Sequence, residues 1–174
     1  MPAAEIQACM RSKRRSFEAG HRPKFMVVVD ETPECARAAY FAARRAARTG
    51  ASLVMLAVAA PPDDFEWVGV AEAVVAEATA DAEDQLEVIA AKARTVAGID
   101  AEKVVRVGTK ADEIVKLIEE DEDISFLVLA AATGTEGPGP LVSTIAGKGA
   151  ATFPIPVVIV PGGLTDEEID ALAG

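Results

Sequence analysis

The 174-residue chain has one histidine, two cysteines, one tryptophan and one tyrosine. With His21 alone, in a basic N-terminal stretch, a histidine-based hydrolase or a zinc site lacks its residues. Cys9 and Cys35, one in that stretch and one near a helix start, do not suggest a structural disulfide. No stretch approaches the ~20 apolar residues a membrane-spanning helix needs. The N-terminal stretch has no apolar core after its charges, so it does not read as a secretory signal. Two phosphate-binding fingerprints are also missing. Gly147-Lys148 resembles the end of a P-loop, but Val142 stands where its first glycine belongs and Gly149 where Ser or Thr is required. No G-x-G-x-x-G follows the first strand. The expectation is a reduced, cytoplasmic chain with no membrane partner.

The net charge is −11. Residues 1–24 hold Arg11, Lys13, Arg14, Arg15, Arg22 and Lys24 against Glu5 and Glu18, which gives +4 and leaves −15 for the rest. An acidic body of this kind repels a nucleic-acid backbone, so nucleic acid is not expected as a partner. The basic segment 1–24 reads as a flexible, solvated tail.

The body reads as one domain of alternating strands and helices. Residues 25–30 (F-M-V-V-V-D) and 52–58 (S-L-V-M-L-A-V) are continuous apolar runs, as in strands buried on both faces. Between them Thr32 and Pro33 offer an N-cap and a first turn, and a helix with an alanine face runs to about Thr49. A long helix follows over 67–97, then a more polar strand at 103–107 and a short helix at 111–120. The acidic run 119–123 then reads as a solvated helix end, although helix-dipole logic disfavours it there. The fourth strand spans 124–129 and a helix is expected over 145–152. A fifth strand at 156–160 lies between Pro156 and Pro161. Thr165 caps a terminal helix to Leu172. Trp67 and Tyr40 read as packing residues. The domain assignment is 1–24, basic segment; 25–161, α/β domain; 162–174, tail with a short helix.

The architecture expected is a doubly wound five-stranded parallel sheet with helices on both faces. In such sheets ligands bind beyond the carboxyl ends of strands, where strand order reverses. With strands two and three on one side of the first strand and four and five on the other, that point lies between Asp30 and Ala130. Asp30 can accept from a base amino group or a ribose hydroxyl. The loop after the fourth strand, A-A-A-T-G-T-E-G-P-G-P-L-V-S-T, carries Gly134, Gly137 and Gly139 and ends in Ser143-Thr144. Its free N–H groups and hydroxyls suit phosphate. Glu31 and Glu34 keep phosphate away from the first helix start.

The motifs V-V-V-D-E-T-P-E, L-V-M-L-A-V, V-G-T-K-A-D-E-I, F-L-V-L-A-A and P-I-P-V-V-I-V-P occur in the order and spacing of a known family. The chain resembles the universal stress protein (UspA-like) family across residues 25–161. The resemblance implies strand order 3-2-1-4-5, an adenine nucleotide α-hydrolase-like fold, and a homodimer through the fifth strand (Val157, Val158, Ile159, Val160). It implies ATP or another adenine nucleotide, with Mg2+, in the crevice located above. The family's base-contacting aspartate falls on Asp30 beside Val29, and its second-strand valine on Val58. One register of its glycine pattern falls on Gly134, Gly137 and Gly147, with Lys148 where Ser or Thr is usual. The gapless register falls on Ala130, Thr133 and Ser143, with Thr144 at the hydroxyl position. Glu136 then sits where many members carry glycine.

Two functions follow as expectations. One is a stress-response protein holding an adenine nucleotide as a regulatory ligand through Val29, Asp30, Val58, Ala130, Gly134, Gly137, Ser143 and Thr144. The other is a homodimeric interaction protein of the same fold with no nucleotide. No general base is evident, so at most slow ATP hydrolysis is expected, with no catalytic residues and no metal ligands.

Overall fold

A computed structural model describes residues 13–61 and 68–174. The first part of the basic segment, with Cys9, and the expected loop and helix-start residues Pro62, Asp63, Asp64 and Trp67 lie outside them. In chain order the elements are β1 (Lys24–Val28), α1 (Cys35–Thr49), β2 (Ser52–Ala59) and α2 (Val68–Ala97). They continue with β3 (Ala101–Val107), α3 (Lys110–Glu120) and β4 (Ile124–Ala131). The short helix α4 opens at Pro140–Val142 and widens into a π-helical turn over Ser143–Lys148. β5 (Val157–Pro161) and α5 (Asp166–Leu172) complete the chain.

All four strand pairings are parallel and the order is β3-β2-β1-β4-β5. Beyond Lys24, Ser52 and Ser125 at their amino ends, the central strands are apolar because both faces are covered. Phe25, Val27 and Val29 pack with the alanine face of α1 (Ala38, Ala39, Ala42, Ala43, Ala46) and with Leu86 and Ala90 of α2. Met26 and Val28 face the other way, toward Ile114, Leu117 and Ile118 of α3 and Val142 and Ile145 of α4. Alanine lets α1 lie close to the sheet, and Gly50 ends the helix in the left-handed conformation at φ 73°.

Three expectations need correction. α1 begins at Cys35 rather than at Pro33, and its N-cap position is Glu34, which makes no capping bond through its side chain. Thr32 is engaged elsewhere: its N–H and its hydroxyl both donate to Asp30 Oδ1. The helix expected over 145–152 instead starts at Pro140 and ends at Lys148. Gly139 takes φ 100° and Pro140 has its φ locked for a first turn, so the helix begins where the glycine-proline pair sets it. The wider turn closes with Gly149 N–H donating to Thr144 O at 3.0 Å, and a Cβ at Gly149 would itself lie 3.0 Å from that oxygen.

The acidic run has a partner that resolves the dipole conflict. Residues 13–24 are tied to it at the amino end of the sheet, where a solvated tail was expected. Arg14 Nη1 donates to the carbonyls of Ile118 and Asp121, placing a guanidinium at the negative end of α3. Arg15 pairs with Glu122, His21 Nδ1 lies 2.7 Å from Asp123 Oδ1, and Lys24 Nζ is 2.7 Å from Asp121. Ser16 Oγ donates to Asp123 O and is buried. No described helix is long and apolar enough to cross a membrane.

Candidate functional site

At the switch point between β1 and β4 the carboxyl ends diverge and leave a crevice of about 360 Å3. That lies within the roughly 300–1,000 Å3 of small-molecule sites. Its floor is Val28, Leu129 and Ala130, one wall is the β1–α1 turn from Asp30 to Cys35, and the other is Pro138 to Val142 with Thr144. Thr109, Lys110 and Ala111 close the third side.

The β1–α1 turn is held by Asp30. With Oδ1 accepting from Thr32 N–H at 3.0 Å and from its hydroxyl, the carboxylate folds the chain back on itself as an Asx turn. Oδ2 is left facing Lys110 Nζ at 3.6 Å, and the same ammonium is 3.9 Å from Glu31. Asp30 therefore has one oxygen committed to the turn and one directed at the crevice. Cys35 sits behind it, its Sγ 3.9 Å from Val28 O. Burial pushes its thiol up to about 11, so it is neutral and unreactive at ordinary pH.

The opposite wall is set by glycine and proline. Ala132 N–H donates to Pro138 O at 3.1 Å and pinches off residues 132–138 as a surface loop. Gly137 and Gly139 both adopt positive φ within the turn into α4. Thr144 Oγ1 donates back to Pro140 O at 2.8 Å. Gly162, after β5, permits a close approach on the rim: a Cβ there would lie 2.6 Å from Ala131 O and 2.7 Å from Glu34 Cβ.

Of the residues expected in the site, Asp30, Ala130 and Thr144 line the crevice together. Val29 is buried on the α1 side of the sheet and Val58 is buried with Val54 and Leu56 on the other, neither in the crevice wall. Gly134, Gly137 and Ser143 are exposed residues of the loop and α4, outside the wall, as is Glu136. Lys110 is the lining residue that reading the strand ends alone overlooks. It follows β3, the edge strand, which suggests a position far from the switch point. Yet α3 has to cross back over β2 and β1 to reach β4, and this carries its first residue to Asp30. Among the described residues no three or more His, Cys, Asp or Glu side chains converge as metal donors.

A sequence model of the universal stress protein family matches residues 21–161. The chain belongs to the universal stress protein family. Among solved structures this universal stress protein is similar to UspA from Lactobacillus plantarum, with 18% identity, TM-score 0.67, and 79% of this chain and 97% of that one covered. It is also similar to the Archaeoglobus fulgidus universal stress protein in complex with dAMP (20% identity, TM-score 0.55, 79% and 97% covered). A third is an Arabidopsis thaliana family protein with AMP bound (18% identity, TM-score 0.51, 80% and 91% covered). No curated protein matches the sequence. At these identities the likeness to solved structures is one of fold, and the site of this family member rests on its own residues.

Proposed function

We propose that this universal stress protein is a cytoplasmic regulator that holds an adenine nucleotide in the β1–β4 crevice and works as a homodimer. The observation that carries the reading is the crevice itself. It lies at the switch point of a doubly wound sheet and combines an apolar floor with Asp30 Oδ2, which the Asx turn does not use, and the ammonium of Lys110 3.6 Å from it. Asp30 Oδ2 accepts from a base amino group or a ribose hydroxyl, and Lys110 donates to an acceptor on the same ligand. Solved relatives described as complexes with dAMP and with AMP support an adenine ligand. Magnesium has no seat of three converging donors among the described residues, so it would enter only on a phosphate chain. The function proposed is regulatory binding rather than rapid turnover.

Thermal melting and calorimetry with adenosine, AMP and ATP, each to millimolar concentration with and without Mg2+, test the reading. A shift with at least one of them is expected; none with any of them overturns it. The rival, an interaction protein of the same fold without nucleotide, draws on the edge of β5, where Ile159 is 39% exposed beside the half-buried Val157 and Val158. An open apolar edge invites pairing with a second copy, which is the basis of the proposed dimer. Perchloric acid extracts of the purified protein separate the two readings by their nucleotide absorbance. A monomer by light scattering overturns the dimer.

A further inference from the structure

The crevice wall carries Asp30, Glu31 and Glu34 against Lys110, three carboxylates and a single ammonium among the described residues. The ammonium stands 3.6 Å from one carboxylate and 3.9 Å from another, so it is shared rather than committed to a close pair. Glu34 lies against the start of the β4–α4 loop: a Cβ placed on Gly162 would be 2.7 Å from Glu34 Cβ and 3.3 Å from Thr133 Cγ2. Glu136 is exposed in the same loop. A phosphate chain extending from the crevice past the β1–α1 wall meets the carboxylates of Glu31 and Glu34, where each added phosphate brings further like charge.

We infer that the crevice selects its adenine ligand by charge, taking a nucleoside or nucleoside monophosphate and rejecting the free triphosphate. Lys110 offsets the charge of one phosphate and has no second cation beside it in the described wall. This selectivity rests on the adenine reading above and sharpens its ligand class. It is opposite to what a glycine-lined phosphate cradle would give. Mg2+ relieves the repulsion in part by neutralising the phosphate chain.

Calorimetric titration of the full chain with adenosine, AMP and Mg2+-free ATP at low ionic strength tests the inference. Adenosine and AMP are expected to bind at least about tenfold more tightly than ATP. Replacing the carboxylates beside the loop (Glu31→Gln with Glu34→Gln) is expected to narrow that gap several-fold, and Lys110→Met to weaken AMP while adenosine changes less. ATP binding as tightly as adenosine overturns the selectivity and leaves the adenine reading standing. A gap that the double Gln variant does not narrow overturns its electrostatic origin. No binding by any of the three overturns the adenine reading and the selectivity together.

Discussion

At the amino ends of the strands, Arg14, Arg15, His21 and Lys24 each meet a carbonyl or carboxylate of residues 118–123. At the carboxyl ends, the carboxylates of Asp30 and Glu31 share Lys110 at 3.6 and 3.9 Å, and Glu34 stands in the same crevice wall. Both ends hold charge of both signs, and they differ in how far it is satisfied. A matched set of short pairs closes a surface and fixes a segment, which is a structural role. A loosely matched set around an apolar floor leaves hydrogen-bonding capacity for something else. The contrast supports the carboxyl end as the proposed binding end without reference to any relative.

The comparison can be broken from either side. The largest effect is expected at the rim of the crevice. Gly162→Ala places a methyl 2.6 Å from Ala131 O, a backbone atom that cannot give way cheaply. Overpacking of this kind costs about 2 kcal/mol, read by urea denaturation. At the other end, Arg14→Ala removes a charged donor from the last carbonyls of α3 and is expected to cost about 1 kcal/mol. Amide exchange in residues 13–24 should quicken while adenine binding stays unchanged. A loss of binding would mean that the two ends are coupled rather than separate.

Cys35 sharpens the comparison through pH. Its thiol ionises near 9.0 in the unfolded chain and near 11 in the folded one, because burial opposes the thiolate. The folded state therefore loses stability as pH rises through that window, since unfolding releases the proton. In a Cys9→Ser background, iodoacetamide at pH 8 should label Cys35 only as fast as the chain unfolds. Rapid labelling of the folded protein would show the crevice wall to be open behind Asp30.

The smallest effect belongs to Glu18. Hydrogen bonds from Lys13, then Arg15, hold its carboxyl down at about 2. A depressed carboxylate stabilises above its unfolded range near 4.5 and loses that contribution as pH falls toward 2. The pair is exposed and screened by salt, so Glu18→Gln should lower the melting temperature barely at pH 7 and not at all near pH 2.

Much of the fold was legible in the residues themselves. Continuous Val/Leu/Ile runs marked four strands, and Thr165 caps the terminal helix as expected, with Glu168 completing a capping box. The strand order came from the family resemblance and matches the sheet observed. What local patterns missed was tertiary. Thr32 looks like a helix cap but is drawn to Asp30. The acidic end of α3 looked unfavourable until Arg14 arrived from more than a hundred residues away. Lys110 follows the edge strand in sequence and reaches the switch point only because α3 crosses the sheet. Gly134 and Gly137 look like a phosphate cradle, yet the bond from Ala132 to Pro138 turns that loop outward, and the wall is made by Pro138 to Val142.

The claim that the two ends of the sheet differ in function is tested most directly by amide chemical-shift mapping of the labelled protein with AMP. Saturable shifts are predicted at Asp30 to Cys35, at Thr109 to Ala111 and from Gly139 to Thr144, with residues 13–24 undisturbed. Shifts confined to the amino end, or none at millimolar AMP, would contradict it.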